Sequence, residues 1–202
     1  MASLAQAKTL GGVGALLVLF TAIPSVGWAL GVAGFVMILL AVKYISEVVR
    51  DSGIYNNMIL SVILAIGAIA VGTVTVIGTV FRVLGMGTFV GPNFVIAPNI
   101  GVGDWLGLAA AVIVGLAVVW GLLIASAVFL RRSLNSISSR LNVKMFETTG
   151  LLYLIGAATA IIAIGFLLIL VAEILLVVSF FSINEQQKVP EASQAQNIPA
   201  SS

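Results

Sequence analysis

Long apolar runs dominate the pattern of hydrophobic and polar positions along the chain. Residues 58–81 and 105–130 contain no charged side chain, and both runs exceed the ~20 residues that a helix needs to cross a bilayer. The strands of a membrane β-barrel would instead be segments of about ten residues with alternating polarity. The pattern therefore predicts an all-α fold, that of a polytopic helical membrane protein.

Two further apolar runs are too long for a single span. A helix over residues 148–183 would be about 54 Å long, whereas the hydrocarbon core of a bilayer is ~30 Å thick. We predict that residues 148–183 form a hairpin that turns near Gly165. Residues 4–44 are predicted to form another, with Pro24 and Gly27 as turn residues in the stretch TAIPSVGW. Two short-turn hairpins then flank two central spans, which gives about six transmembrane helices.

Two other arrangements remain open. If neither long run turned, the chain would have four helices. Alternatively, the hairpins would turn but cross the bilayer only in part, because their first helices must recruit polar ends to reach full length.

An internal similarity supports the two hairpins. When the first hairpin is shifted by 138 residues (165 − 27), its Thr-Ala-Ile at residues 21–23 falls on the Thr-Ala-Ile at residues 159–161. The same shift places Gly27 on Gly165, whereas Pro24 has no proline counterpart. The glycine is therefore predicted to matter more to the turn than the proline.

Positive charge is distributed unequally between the two sides of the six-helix arrangement. One side holds both termini and the loops 45–56 and 131–147, and it carries eight of the nine Lys and Arg residues. The other side carries only Arg82. Because cytoplasmic loops are enriched in Lys and Arg, we predict a multi-pass plasma-membrane protein with both termini in the cytoplasm. The four-helix arrangement gives a weaker split of the same charges.

The segment after the fourth predicted helix is basic and carries an apolar stripe. Its cations are Arg131, Arg132, Arg140 and Lys144. Its apolar side chains at helical spacing are Leu134, Ile137, Leu141 and Met145. These features predict an amphipathic helix that lies on an anionic leaflet, with the four cations at the membrane surface. Basic loops of this kind normally set topology, so nucleic acid is not a predicted partner.

The composition agrees with a membrane protein and excludes several kinds of metal site and disulfides. Of the 202 residues, 61% are apolar and 8% are charged, and the mean hydropathy is +1.24; soluble domains are about 45–50% apolar and about 25% charged. Without His or Cys, the chain cannot form His-ligated haem sites, thiolate metal sites or disulfides. Its seven acidic residues are scattered. We therefore expect no metal, no cofactor and no enzymatic activity.

Glu173 is the candidate functional residue within the membrane. It is predicted to lie midway along the sixth helix, in LILVAEILLVV, where a charged side chain costs at least ~2.5 kcal/mol on insertion scales. Candidate hydrogen-bond partners are the hydroxyls of Thr73, Thr75, Thr79, Ser126 and Thr159. One hypothesis is proton coupling or a polar substrate site. The other, which we favour, is a neutral carboxyl that holds helices together.

The remaining segments, an apolar loop and a polar tail, have simpler interpretations. The loop Gly85–Asp104 is predicted to cap the helix ends, with a lid or a partner-docking surface as the alternative, and Asp104 is predicted to be the N-cap of the fourth helix. Residues 1–184 are predicted to form one transmembrane domain. Residues 185–202 are polar and contain Pro and Ser, which predicts a disordered cytoplasmic tail.

Several stretches are similar to those of one known family. They are SLAQAKTLGGVGALL, IPSVGW, AVKYISE and GLLYLIGAATAIIAIG. In these the chain resembles the archaeal and bacterial membrane proteins of the family called domain of unknown function 996. The resemblance spans nearly the whole chain up to Ile183 and implies a prokaryotic plasma-membrane protein, but it brings no activity and no functional residue.

Two hypotheses on function follow from the sequence. The first is a structural or accessory membrane protein, as a small subunit of a larger complex. The second is a small transporter or channel that uses Glu173. The predicted partners are the lipid bilayer and, under the first hypothesis, other membrane protein subunits.

Overall fold

Six α-helices make up most of the described chain. The structure is a computed structural model, and it describes residues 3–84, 88–90, 93–95, 102–162 and 164–184. The helices are α1 (Leu4–Leu19), α2 (Gly27–Val48), α3 (Ser52–Val83), α4 (Val102–Leu141), α5 (Met145–Thr159) and α6 (Ile164–Phe181). Five of them are long and apolar enough to cross a membrane, and α1 is a shorter apolar helix. The predicted all-α fold of about six apolar helices is confirmed.

A small β-hairpin lies between the two central helices. Its strands, β1 (Thr88–Val90) and β2 (Asn93–Val95), pair antiparallel over three residues each. These are the β-strands that the described ranges contain, and they fall in the segment that the sequence predicts to be non-helical. The helix α4 begins at Val102, so Asp104 lies in its first turn rather than at its N-cap position.

Polar side chains cap the start of two helices. The Ser3 Oγ accepts a hydrogen bond from the Gln6 amide at 3.2 Å, at the start of α1. The Asp51 Oδ1 accepts one from the Gly53 amide at 3.1 Å, at the start of α3. Such caps satisfy amide groups that the first turn of a helix leaves unpaired.

The chain turns sharply at both predicted hairpins, so the four-helix alternative is wrong. A single 3-10 turn follows α1 at Phe20–Ala22, and another follows α5 at Ala160–Ile162. Pro24 follows the 3-10 segment, in the turn between α1 and α2. The residue there with a left-handed backbone is Ser25, with a φ of 71°, and neither Pro24 nor Gly27 has that conformation.

Gly27 and Gly165 allow the second helix of each hairpin to approach the first. A Cβ on Gly27 would lie 2.2 Å from the carbonyl oxygen of Thr21, and a Cβ on Gly165 would lie 2.2 Å from that of Gly156. Because backbone atoms cannot move aside as a side chain does, no larger residue fits. The glycine that the internal similarity keeps in both hairpins is thus required by close backbone contact.

The helices are arranged as a closed ring. Each helix packs against the next one in the sequence, and α1 also packs against α6. At this closing contact, a Cβ on Gly11 would lie 2.1 Å from Cδ1 of Phe180, and one on Gly12 would lie 2.6 Å from Cζ of Phe181. Small residues therefore let the two helices approach closely, as is common for helices packed in lipid.

The most deeply buried apolar side chains form one cluster near the α2–α3 and α4–α5 turns. Its largest fully buried members are Ile45, Ile54, Leu134, Ile137, Phe146, Phe180 and Ile183. The rings of Phe146 and Phe180 meet edge to face, with centroids 5.2 Å apart and an interplanar angle of 88°. The first residues of α1 and the last residues of α6 reach the same cluster.

The apolar stripe after residue 130 faces this cluster. The helix α4 continues without a break to Leu141, and Leu134, Ile137 and Leu141 are buried in the core. The prediction that the stripe lies on lipid as a separate surface helix is therefore wrong. Helical spacing identifies an apolar face correctly, but it does not say whether lipid or protein covers that face.

The central hairpin, α3 and α4, extends beyond the other two. Its helices have 32 and 40 residues, which correspond to about 48 and about 60 Å. The Trp120 indole donates a hydrogen bond to the Ala158 carbonyl at 3.3 Å, which fixes the register of α4 against α5. From that point α4 continues to Val102, about 27 Å further, whereas α5 and its 3-10 turn end about 6 Å further at Ile162.

Candidate functional site

Glu173 and Tyr153 form the candidate site. Glu173 lies midway along α6 and is half-buried. Tyr153 lies on α5 and is also half-buried. The two residues are equally far from the turn between the helices, ten positions before and ten positions after residue 163. In an antiparallel hairpin this spacing places them side by side.

Sequence reasoning missed Tyr153 as the neighbour of Glu173. The turn predicted near Gly165 pairs Glu173 with Ala157, eight positions before that glycine. Tyr153 is the partner only because the turn is centred two positions earlier, between the end of the 3-10 turn at Ile162 and the start of α6 at Ile164. The α5–α6 pairing, which places Tyr153, is local to one hairpin and needs no knowledge of the rest of the bundle.

The hydroxyls predicted as partners of Glu173 bond elsewhere. Thr75 Oγ1 donates to the Val71 carbonyl at 2.8 Å, and Thr159 Oγ1 donates to the Ile155 carbonyl at 2.7 Å. Thr79 likewise bonds to a carbonyl of its own helix. Ser126 donates to the Ser61 carbonyl of α3 at 2.8 Å, and Thr73 lines a groove between α3 and α4. The structure does not bring these five hydroxyls to the carboxyl.

Several buried hydroxyls join neighbouring helices instead. Ser61 and Ser126 place their Oγ atoms 3.1 Å apart between α3 and α4. Ser133 Oγ on α4 donates to the Ile54 carbonyl of α3 at 2.8 Å. Between α5 and α6, the hydroxyls of Thr149 and Ser179 lie 3.4 Å apart. Their geometry is that of interhelical hydrogen bonds, which stabilise helix packing in lipid.

Two apolar grooves lie along the contact between α3 and α4. The larger, of about 420 Å³, is lined by residues that include Ala68, Ile77 and Leu123. The smaller, of about 220 Å³, is lined by residues that include Val80, Val112 and Leu116. Apart from three threonines, the lining of both grooves is apolar. Neither groove includes Glu173 or Tyr153, so neither groove forms a path to the carboxyl.

An ionic contact ties α4 to the start of α3. The Arg140 guanidinium donates to Asp51 Oδ2 from Nη2 at 3.1 Å and from Nε at 3.3 Å. The same Asp51 caps α3, and its carbonyl accepts a hydrogen bond from Ser46 Oγ at 2.8 Å. Three helices are joined at this one residue.

The four basic residues predicted at the membrane surface have different surroundings. Arg140 pairs with Asp51, and the Arg132 guanidinium stacks over the Phe129 ring at 5.4 Å from its centroid. The backbone of Arg131 lies beside Gly150 on α5. Lys144 is exposed between α4 and α5. Contact of these side chains with anionic lipid stays a prediction.

The predictions for the loop 85–104 and for the tail 185–202 fall largely outside the described residues. Most of the loop 85–104, including the Asp104 side chain, and the tail 185–202 are not described. In the ranges that are described, no three His, Cys, Asp or Glu residues lie close enough together to hold a metal ion.

Comparison with known proteins gives a family. The family model described as Protein of unknown function (DUF996) matches residues 30–174. Uncharacterized protein MJ1644 of Methanocaldococcus jannaschii is 32% identical over 185 residues, which cover 92% of this chain and 96% of that protein. No solved structure matches the chain. The family predicted from the sequence is thereby confirmed, and the chain belongs to the DUF996 family of proteins of unknown function.

Proposed function

We propose that this membrane protein has a structural, non-catalytic role in the plasma membrane, as an accessory component of a larger membrane assembly. The observation that carries the proposal is the use of its buried hydroxyls. Ser61, Ser133 and Thr149 bond across to the next helix or to its hydroxyl, and the two grooves along the α3–α4 contact are lined mainly by apolar residues. Polar groups that hold helices together suit a scaffold, whereas a transport path needs polar groups that water can reach.

Orientation is part of the same proposal. We place both termini in the cytoplasm, because eight of the nine cations lie on their side of the chain. The M. jannaschii relative comes from an archaeon, for which the membrane in question is the plasma membrane.

The accessory role is tested by purification in mild detergent and by flux measurements. We expect a partner protein to co-purify with the wild-type chain at a fixed ratio. Liposomes that contain the purified chain should show no more proton or cation flux than empty liposomes. A variant with the core position Ile137→Asp, which disrupts the fold, controls for nonspecific capture. Purification of the native chain alone, together with robust flux, would overturn the structural proposal.

A second candidate function is a small proton-coupled transporter, and the placement of Tyr153 beside Glu173 favours it. A carboxyl and a phenol at one depth in adjacent helices can form a proton-exchanging pair. In that case Glu173→Gln should abolish flux while the chain still assembles. The matched control is Glu47→Gln, which changes an exposed carboxyl paired with Lys43. Absence of flux in the wild type would exclude this candidate.

A further inference from the structure

The three hairpins of the ring differ in reach, and the tips of the N-terminal and C-terminal hairpins are apolar. We propose that the N-terminal hairpin (α1–α2) and the C-terminal hairpin (α5–α6) end inside the hydrocarbon layer, and that only the central hairpin (α3–α4) extends across it. The protein would then be a wedge, with six helices in the leaflet on the side of the termini and two in the opposite leaflet. In this arrangement the acyl chains of the bilayer cover its exposed apolar surface.

The C-terminal hairpin is short relative to α4. Near its base, a Cβ on Gly150 would lie 3.0 Å from the Arg131 Cα. Near its tip, the Trp120 indole contacts the Ala158 carbonyl. The 11 positions from Arg131 to Trp120 correspond to about 16 Å, and the hairpin rises only about 6 Å above Ala158. Its tip therefore lies about 22 Å above Arg131, while α4 continues for a further 20 Å or so.

The N-terminal hairpin is shorter still. Gly12 lies beside Phe181, at the base of α6. From Gly12 the chain rises about 15 Å to the end of its 3-10 turn at Ala22, whereas α6 rises about 25 Å from Phe181 to Ile164. The N-terminal tip therefore does not reach beyond the C-terminal tip.

Both tips expose large apolar side chains. Trp28 is 71% exposed and Ile161 is 70% exposed. Their neighbours Phe20, Val26 and Phe166 are exposed as well. No charged residue lies between Lys8 and Lys43 or between Glu147 and Glu173. A tip in water or among headgroups would normally carry polar side chains, so these tips suit a hydrocarbon environment.

The backbone of the first turn is adapted to such an environment. Lipid offers no hydrogen-bond partner, so backbone at that depth must satisfy its own amides. Pro24 has no N–H group to satisfy. The Ile23 amide donates to the Phe20 carbonyl at 3.0 Å, the Val26 amide to the Pro24 carbonyl at 2.9 Å, and the Gly27 amide to the Ile23 carbonyl at 2.9 Å.

The outer part of the central hairpin requires that hydrocarbon extend beyond these tips. Val74 on α3 is 72% exposed and Leu106 on α4 is 71% exposed. From Trp105, a residue type that favours the membrane interface, to Arg131 the helix is about 39 Å long. Tilt and the flexible Arg side chain fit that length to a bilayer. A tip 22 Å above Arg131 then lies near the bilayer centre.

A bilayer placed lower would let all six helices cross, but it would be costly. Arg131 and Arg132 would lie within the hydrocarbon. Val74, Leu106 and the other apolar side chains of the outer central hairpin would be exposed to water. The depth of the tips does not rest on the structural role proposed above, because a chain that carried flux would still leave Trp28 near the bilayer centre.

The depth of Trp28 can be measured directly, since the chain has only three Trp residues. The double variant W105F/W120F leaves Trp28 as the only indole, and the matched variant W28F/W120F leaves Trp105. Each full-length chain is reconstituted in phosphatidylcholine that is brominated either near the headgroup or near the acyl-chain ends. We expect deep bromines to quench Trp28 about twofold more than shallow ones, and the reverse for Trp105. Preferential quenching of Trp28 by shallow bromines would overturn the proposal.

Cysteine labelling provides a second measurement that leaves all Trp residues in place. The chain has no Cys, so single-cysteine variants need no prior substitution. We expect Ile162→Cys to react with a membrane-impermeant maleimide at least about tenfold more slowly than Asn93→Cys, from either side, until detergent is added. Asn93 lies on β2 and is exposed. Equal labelling of the two variants from the same side would show that the C-terminal hairpin crosses the bilayer.

Discussion

Arg140 on α4 and Asp51 at the start of α3 form an ion pair, with Nη2 and Oδ2 3.1 Å apart. The pair lies at the end of the bundle where α2 passes into α3 and α4 into α5. Asp51 also caps α3 through the Gly53 amide and accepts a hydrogen bond at its carbonyl from Ser46 on α2. Removal of the Asp51 side chain therefore breaks both the ion pair and the cap, whereas removal of the Arg140 side chain breaks the ion pair.

Asp51→Ala should destabilise the fold more than Arg140→Ala. Loss of an N-cap costs about 1–2 kcal/mol, and an exposed ion pair contributes at most about 1 kcal/mol. Thermal unfolding in detergent, followed by circular dichroism, measures both variants against the wild type. Equal losses of stability would mean that the cap contributes nothing to α3.

Gly165→Ala should prevent the C-terminal hairpin from packing as it does here. The new Cβ would lie 2.2 Å from the Gly156 carbonyl oxygen and 2.5 Å from the Ala160 amide nitrogen, so the helices must move apart. We expect a loss of several kcal/mol, about as large as for other severe core disruptions, seen as a lower melting temperature in detergent.

Gly121→Ala is the matched control for Gly165→Ala. Gly121 lies in the interior of α4, and a Cβ there would meet no atom within 4 Å. Because Ala favours a helix over Gly by about 1 kcal/mol, this variant should be as stable as the wild type or more so. If both substitutions lowered the melting temperature equally, close backbone contact at Gly165 would not be the cause.

Glu173→Leu should leave the fold intact, because the structure brings none of the five predicted hydroxyl partners to the carboxyl. The favoured interpretation, in which this carboxyl holds helices together through those hydroxyls, therefore loses its support. The substitution replaces an acidic side chain midway along α6 with an apolar one, which favours membrane insertion by roughly 3 kcal/mol. The yield and melting temperature of the purified chain should be unchanged or higher. Tyr153→Phe, which removes only the phenol oxygen, should be similarly mild. A severe loss of stability in Glu173→Leu would show that the carboxyl holds the bundle together.

The chain should prefer strongly curved membranes if it is a wedge. Six helices in one leaflet and two in the other favour a surface that is convex on the side of the termini. Reconstituted protein should therefore be enriched in small vesicles relative to large ones. In the small vesicles, a single Cys at the exposed position Ser139 should be labelled mainly from outside. Equal density in vesicles of all sizes would contradict the shape.

The sequence was sufficient to predict the helices and their turns, because the lengths of the apolar runs decided how often the chain must turn. A helix over residues 148–183 cannot fit a bilayer, so a turn was required, and the match between Gly27 and Gly165 located both turns. What covers each apolar face could not be predicted in this way. Leu134 and Ile137 have the spacing of a lipid-facing stripe, yet they face the core, because helical period is the same for either environment.

Only one of the two residues of the candidate site was predicted from the sequence. Glu173 was evident as an acidic residue in an apolar helix, whereas its neighbour depended on the register of two helices. The β-hairpin at residues 88–95 and the start of α4 before Asp104 were not predictable from propensity, since Gly and Pro in that loop indicate only the absence of a long helix.

The contact of Gly11 with Phe180 also dictates the order in which the fold is completed. About 170 residues separate these two positions, so theirs is among the most non-local contacts in the chain. During synthesis α1 is made well before α6, the helix that carries its partner surface. The N-terminal hairpin must therefore persist as an independent unit, held by Gly14 against Gly34, until α6 has been made and the ring can close.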